Sequence, residues 1–162
     1  MFRPRVIPCL LLKDLGLIKT VKFKNPRYIG DPMNAIRIFN KKKADELIFL
    51  DIMATKENRI PDIQLIKNIG EECRMPFSVG GGIKSMKDIE SIFTAGAEKV
   101  VINSSAISNP KILKEASLHF GKQSIIAAID VKKKILGGYT IFTHGGKKST
   151  GINPIEFVKI AE

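Results

Sequence analysis

Residues 76–88, Pro-Phe-Ser-Val-Gly-Gly-Gly-Ile-Lys-Ser-Met-Lys-Asp, contain a strand, a glycine turn and a helix start in direct succession. Residues 77–79 form a short run of strand type, residues 80–82 are glycines, and residues 85–88 resemble a capping box with Asp in place of Glu. Strands that are buried on both faces of a parallel sheet have such continuous runs instead of an alternating pattern. The stretch therefore predicts one strand–turn–helix unit of a parallel sheet.

The same pattern recurs along the chain. Strand-type runs occupy residues 6–12, 47–50, 100–102 and 125–129, and helix starts are marked at Asp31-Pro32, Asn109-Pro110 and Asn153-Pro154. Polar tips on one rim of parallel strands predict an α/β fold, the N-terminal five βα units of a TIM (βα)8 barrel, as a single partial domain over residues 1–162. A whole barrel typically takes about 250 residues, so the barrel is expected to be incomplete, with an open apolar edge. An open doubly wound sheet is the structural alternative.

The composition narrows the class of protein. The net charge is +11, but the lysines stand in short clusters without interleaved aromatic residues, which argues against a nucleic-acid partner. No apolar stretch approaches the roughly 18 residues of a membrane span. Residues 1–5 lead into the first strand without a signal peptide, so a cytoplasmic location is expected. Cys9 and Cys73 are predicted to be reduced core thiols, and His119 and His144 lack the spacing of metal ligands.

The strand tips carry residues suited to binding and catalysis. Glycine lets the backbone N–H groups around Gly82 approach an anion, and Asn103 and Ser104 at the next tip add further donors, so these two tips predict a phosphate site. A tight turn with polar caps is the structural alternative. Asp51 and Asp130 end two other strands, where a carboxylate serves in acid–base catalysis, binds substrate hydroxyls or simply caps a loop.

Eight short motifs carry a family resemblance: RVIPCL at residues 5–10, GDP at 30–32, ELIFLDI at 46–52, PFSVGGGI at 76–83, GAEKV at 96–100, INS at 102–104, AID at 128–130 and TG at 150–151. Together they resemble the cyclase subunit of imidazole glycerol phosphate synthase, a family of (βα)8 barrels. The resemblance implies a role in histidine biosynthesis without a cofactor. It also implies a glutaminase partner at the amino end of the strands, which supplies ammonia. The ammonia reacts with a ribulose-bearing bis-phosphate to give imidazole glycerol phosphate and an aminoimidazole carboxamide ribotide.

The resemblance assigns roles to residues of this chain. Asp130 matches one of two catalytic aspartates. The matches for substrate and phosphate contacts are Lys19 on a mobile loop, Asp51, Gly82, Asn103 and Ser104. The matches for a charged gate through which ammonia enters are Arg5, Glu46 and Lys99, and those for the glutaminase contact are Glu98 and Gln123. A salt-bridge cluster that seals the barrel bottom is the structural alternative to the gate.

One position departs from the family pattern. Leu11 stands where the family has its other catalytic aspartate, and an isobutyl group cannot transfer protons. The sequence therefore leaves three hypotheses open. The chain is a cyclase that relies on Asp130 alone, a paralogue that conducts ammonia for amidation of a sugar in surface-glycan biosynthesis, or a fragment that serves only as a folding or interaction module.

Overall fold

The computed structural model describes residues 4–134 and 137–162, so part of the predicted N-terminal lead, residues 1–3, lies outside the described residues. The elements are β1 (Cys9–Lys13), β2 (Gly16–Val21), β3 (Lys24–Gly30), α1 (Pro32–Lys42), β4 (Leu47–Asp51), α2 (Ile63–Glu72), β5 (Phe77–Gly80), α3 (Met86–Thr94), β6 (Lys99–Ile102), α4 (Ser104–Ser108), α5 (Lys111–Phe120), β7 (Ile125–Ala127), β8 (Asp130–Lys133), β9 (Tyr139–Thr143), β10 (Lys148–Ser149) and α6 (Pro154–Ala161). A short 3-10 helix, Lys122–Ser124, precedes β7.

The main sheet has seven strands in the order β3-β2-β1-β4-β5-β6-β7. Five neighbouring strands of this sheet are parallel: β1, β4, β5, β6 and β7. Helices α1, α2, α3 and the pair α4 and α5 connect them in turn. This confirms the predicted α/β fold with the alternating units of a partial (βα)8 barrel. The second, smaller sheet is antiparallel, with the order β10-β9-β8.

The two faces of the parallel sheet differ in burial. Side chains on successive strand residues point to opposite faces. Phe49, Val79 and Val100 share the core with the helices, and each is at most 1% exposed. Ile48 and Leu50, which point to the other face, are only half-buried. The core of the protein therefore lies between the sheet and its helices.

The two cysteines do not behave alike. Cys9 is exposed, so the prediction of a core thiol is wrong for this residue. The reason is its position in β1: Leu10 and Leu12 contact the core on the helix side, and Cys9 points to the other face. Cys73 is half-buried, packs against the core and donates its thiol proton to the Met75 carbonyl at 3.2 Å.

Side-chain caps mark most of the predicted helix starts. Asp31 and Asn153 accept backbone N–H groups at α1 and α6, and Ser85 forms a capping box with Asp88 at α3. The predicted cap at Asn109 is wrong, because α5 begins at Lys111 after Pro110 without a side-chain cap. Asn109 instead ends α4, where its N–H bonds to the Ser105 carbonyl at 2.8 Å.

Lys19, which the resemblance places on a mobile loop, lies on a hairpin. Strands β2 and β3 pair antiparallel with each other, and β2 pairs with the end of β1 through Leu11↔Ile18 and Leu12↔Leu17. Lys19 is exposed on β2, opposite Arg27. Strand β2 therefore covers the expected open apolar edge at this end of β1. The outermost strand is β3, and its residues are largely exposed. None of the helices in the described ranges is long and apolar enough to cross a membrane.

Ile36 and Ile38 test whether helix α1 buries only one of its faces. Ile36 is fully buried in the core and Ile38 is 57% exposed. We expect Ile36→Ala to lower the free energy of unfolding by about 2–5 kcal/mol, because the change removes buried methylene groups and leaves a cavity. Ile38→Ala, the matched control on the same helix, should change it by no more than about 0.5 kcal/mol. Urea unfolding of both variants makes the comparison, and equal losses would contradict the assigned faces.

Candidate functional site

Two neighbouring strand tips form the centre of the candidate site. Strands β5 and β6 pair through Gly80↔Val101, so Gly82 and Asn103, each two residues further on, lie at the same edge of the sheet. The Ser105 hydroxyl donates to the Ile83 carbonyl and ties the two tips together. The structure therefore brings together the residues that the sequence predicts as a phosphate site.

Gly82, like Gly80 and Gly81 before it, is a position where a side chain has no room. Its φ is +65°, a left-handed conformation, and an added Cβ would lie 1.8 Å from the Arg59 carbonyl oxygen. The Gly82 N–H donates to the Thr55 hydroxyl at 3.3 Å. The loop between β4 and α2 thus lies directly against the glycine tip.

A chain of hydrogen bonds links the second tip to the smaller sheet. The Ser104 hydroxyl donates to the Asn103 side-chain oxygen at 3.1 Å and accepts the His144 N–H at 3.2 Å. The Asn103 amide donates to the Ala128 carbonyl at 3.0 Å. Both side chains named in the predicted phosphate site are thereby held in fixed positions close to the start of β8.

Asp130 is a half-buried carboxyl beside these groups. It begins β8 and pairs with Phe142 of β9. Burial raises the pKa of Asp130, while the positive charge of Lys132 and a hydrogen bond from Asn103 oppose the rise. A carboxyl with a raised pKa is suited to acid–base catalysis because both of its protonation states become accessible nearer neutral pH.

Lys132 joins Asp130 to the turn between β9 and β10. Its ammonium group bonds to the Gly146 carbonyl and lies 4.3 Å from the centre of the Phe142 ring. A side chain at Gly146 would lie 3.4 Å from the Phe23 ring. The hairpin that carries Lys19 therefore reaches the hairpin that begins with Asp130, although Lys19 itself is exposed.

Asp51 is engaged by its own loop. One carboxylate oxygen accepts the N–H groups of Met53 and Ala54 at 2.9 and 3.1 Å. The other oxygen accepts from the Arg59 guanidinium at 2.6 Å, and this bond is the main cause of a raised pKa of Arg59. The geometry is that of a loop cap, the structural alternative stated for this residue, and a direct substrate contact by Asp51 stays a prediction.

Leu11 belongs to β1, which has a neighbouring strand on each side. It pairs with Leu50 on one side and with Ile18 on the other, and it is half-buried. An aliphatic side chain therefore stands in apolar company at the place where the family resemblance implies an acid.

The opposite end of the sheet contains a buried ion pair. Glu46 is 3% exposed, and its two carboxylate oxygens accept from the Lys99 ammonium at 2.6 Å and from the Ser78 hydroxyl at 2.8 Å. Arg5 is exposed and is not among the partners of this pair in the described residues. The structure thus brings together two of the three predicted gate residues.

The two residues matched to the glutaminase contact have different environments. The Glu98 carboxylate accepts the Phe77 N–H at 2.8 Å, although Glu98 is exposed overall. Gln123 is exposed in the 3-10 helix before β7. Both belong to the amino-end side of the parallel strands, which is where the resemblance places the partner.

Four residues of the site region were not singled out for it from the sequence. Thr55 and Arg59 lie in an irregular loop, and Lys132 appeared only as one of a run of lysines. His144 was noted only as lacking metal-ligand spacing, and its role in holding Ser104 comes from the backbone N–H, which no residue type reveals. Within residues 4–134 and 137–162 no group of acidic, histidine or cysteine side chains is arranged to hold a metal ion.

Comparison with known proteins adds to this geometry. The sequence pattern of the family described as "Histidine biosynthesis protein" matches residues 5–162. The chain is 50% identical over 162 residues to a Leptospira interrogans protein, and 48% identical over 162 residues to a Pseudomonas aeruginosa protein. Both carry, with a provisional qualifier, the name imidazole glycerol phosphate synthase subunit, HisF and hisF2 respectively.

A third relative carries the same name without a qualifier. The chain is 41% identical over 161 residues to the imidazole glycerol phosphate synthase subunit HisF of Streptococcus mutans. The three matches cover 99–100% of the chain but 64% of each relative's own length. These matches confirm the family resemblance that the motifs carry.

Removal of Lys99 tests the buried ion pair. We expect Lys99→Met to lower the free energy of unfolding by about 3 kcal/mol, because it leaves the buried Glu46 carboxylate without its counter-charge. Adding Glu46→Gln should restore most of the loss. Arg37→Met is the matched control, since the Arg37–Glu72 pair is exposed and its loss should cost no more than about 1 kcal/mol. A double variant as unstable as Lys99→Met would contradict the pairing.

The raised pKa of Asp130 predicts a pH dependence of stability. The folded state holds the Asp130 proton more tightly than the unfolded chain does, so this carboxyl destabilises the fold as pH rises through its folded-state pKa. We expect Asp130→Asn to be more stable than the unchanged protein near pH 7, and the difference to shrink toward about pH 4. Asp14→Asn, at an exposed carboxyl, controls for the loss of a charge. Urea unfolding across this range measures the difference, and an opposite trend would contradict the assignment.

Proposed function

The chain belongs to the histidine biosynthesis protein family, and on that premise we propose that it forms the phosphate-binding and acid–base part of an imidazole glycerol phosphate synthase cyclase subunit. The observation that carries the proposal is the hydrogen-bonded arrangement of Asn103 and Ser104 beside the Gly82 tip, with the Asp130 carboxyl next to Asn103. Hydrogen-bond donors for a phosphate and an acid–base group on one rim are what the reaction of a phosphorylated substrate requires.

The proposed substrate is a ribulose-bearing bis-phosphate. One phosphate would accept hydrogen bonds from the Gly82 N–H, the Asn103 amide and the Ser104 hydroxyl, since such donors satisfy an oxyanion without a metal. Asp130 would move protons during cleavage and ring closure, for which its raised pKa is favourable. Lys19 would contact the substrate from above the rim. It lies on the hairpin of β2 and β3, which reaches the hairpin that begins with Asp130.

The proposed partner is a glutaminase docked at the amino end of the strands. Ammonia would enter past Glu46 and Lys99, with Arg5 as a third gate residue, and pass along the inner face of the sheet to the rim. The support is the placement of a paired, buried Glu46 at that end. Opening would require Lys99 to change rotamer, and its side chain, which is 25% exposed, has solvent on one side to move into.

Leu11 favours a second candidate function. With Leu11 in place of an acid, the chain keeps the ion pair of the proposed gate and the phosphate tips but retains a single acid of the proposed catalytic pair. This combination suits a paralogue that conducts ammonia to the amidation of a sugar in surface-glycan biosynthesis. A non-catalytic interaction module is the third hypothesis.

Turnover separates these functions. With the bis-phosphate substrate and an ammonium salt, we expect weak cyclase activity that Leu11→Asp raises by about a hundredfold, since positioned acid–base groups contribute factors of that order. Leu11→Asn, which has the shape of Asp but no ionisable group, should give no gain, and Asp130→Asn should abolish turnover. The rate of substrate loss is the measurement.

The outcomes distinguish the three hypotheses. An unchanged rate in Asp130→Asn would contradict the proposed mechanism. If Leu11→Asp brings no gain while the unchanged protein still binds the substrate, the paralogue becomes the better function. If neither protein binds or turns over the substrate, the interaction module becomes the better function.

A further inference from the structure

The loop between β4 and α2 is closed on itself and pressed against the glycine tip. The Arg59 guanidinium bonds to Asp51, to Glu57 at 2.7 Å and to the Ile60 carbonyl at 3.1 Å, and the Arg59 N–H bonds back to the Ala54 carbonyl at 3.0 Å. These bonds hold the loop in one shape. The same loop brings the Arg59 carbonyl so close to Gly82 that no side chain fits there.

Thr55 is the residue of this loop that faces the proposed phosphate donors. Its hydroxyl oxygen accepts the Gly82 N–H at 3.3 Å, slightly longer than the usual range of N–H···O bonds and therefore weak. In the described part of the chain the Thr55 hydroxyl accepts this bond and donates to no protein group. Thr55 is half-buried, so its hydroxyl proton is accessible to a ligand that binds beside Gly82.

We propose that Thr55 is a phosphate-binding residue of this site, whose hydroxyl accepts the Gly82 N–H and donates its own proton to a phosphate oxygen when a phosphate monoester binds. A phosphate oxygen that accepts the Gly82 N–H must lie near the Thr55 oxygen, because both are acceptors for the same donor. A threonine hydroxyl serves in both roles, since its oxygen accepts and its proton is donated. The inference rests on the proposed phosphate site and extends it to the neighbouring loop.

The role of Asp51 follows from the same geometry. Both of its carboxylate oxygens bond within the loop, to two backbone N–H groups and to Arg59. Asp51 then acts as a positioning residue, which fixes the loop that presents Thr55. Arg59 offsets part of the negative charge of Asp51, although it also pairs with Glu57.

Titration of the full chain with inorganic phosphate tests the inference. The readouts are the binding isotherm and the chemical shift of the Gly82 amide. We expect Thr55→Val, which keeps the shape and removes the hydroxyl, to weaken phosphate binding about tenfold, because hydrogen bonds to charged groups are worth at least this much. Thr55→Ser should bind within about twofold of the unchanged protein. Thr94→Val, at an exposed threonine of α3, is the matched control and should have no effect.

Each outcome is decisive. Equal or tighter phosphate binding by a folded Thr55→Val variant would overturn the inference, and a thermal unfolding curve establishes that the variant is folded. If Thr55→Val is not folded, Thr55→Ala takes its place with the same expectation. Asn103→Ala distinguishes a failure of the Thr55 inference from a failure of the proposed function. If Asn103→Ala weakens binding and loss of the Thr55 hydroxyl does not, only the role of Thr55 is wrong. If neither affects binding, or the unchanged protein binds no phosphate, the proposed phosphate site is wrong as well.

Discussion

Phe49, Val79 and Val100 lie between the parallel strands and the helices with at most 1% of their surface exposed, and this contact orders the rest of the molecule. Because a strand alternates its side chains, burying one set against helices turns the other set to the opposite face. Because the strands are parallel, all their carboxyl ends meet at one rim. The apolar packing thus decides which residues become neighbours there, although none of the packed residues has a chemical role.

The polar groups at the two ends of the sheet obey different physical constraints. Glu46 is buried, and removing a carboxylate from water costs several kcal/mol that the bonds from Lys99 and Ser78 must offset. An apolar pair of similar size would stabilise this position equally well or better. Stability alone therefore does not explain a charged pair at the foot of the sheet, and this is the reason for proposing Glu46 and Lys99 as part of a gate. At the rim, the bonds of Asn103 and Ser104 reach Ala128 and His144, and both residues are only half-buried, which leaves room for a ligand.

The sequence predicted the repeating features well and the irregular ones poorly. Runs such as residues 47–50 and caps such as Asp31 are local signals, and the structure places them as expected. The exposure of Cys9 depends on which face of β1 it occupies, and its run is apolar on both faces, so no alternation reveals it. Strands β2 and β3 contain Lys, Arg, Asn and Pro, which hide a hairpin from any hydrophobic pattern. The approach of Thr55 to Gly82 joins residues 27 positions apart through a loop without periodicity, and only the folded chain shows it.

Leu11 affects the proposed binding and the proposed chemistry differently. Its neighbours Ile18 and Leu50 are aliphatic, so the leucine fits its surroundings, whereas a carboxylate there would have no polar partner from either neighbouring strand residue. The proposed phosphate donors lie in the segments that follow β5 and β6 and in the loop of Thr55, and none of them is a residue of β1. Loss of the acid therefore leaves the proposed phosphate contacts intact while it removes one of two proton-transferring groups. If the proposed phosphate site and acid–base role are right, a chain with Leu11 would keep its affinity for a phosphorylated substrate while its rate of ring closure falls, and that order of loss is what the proposed paralogue requires.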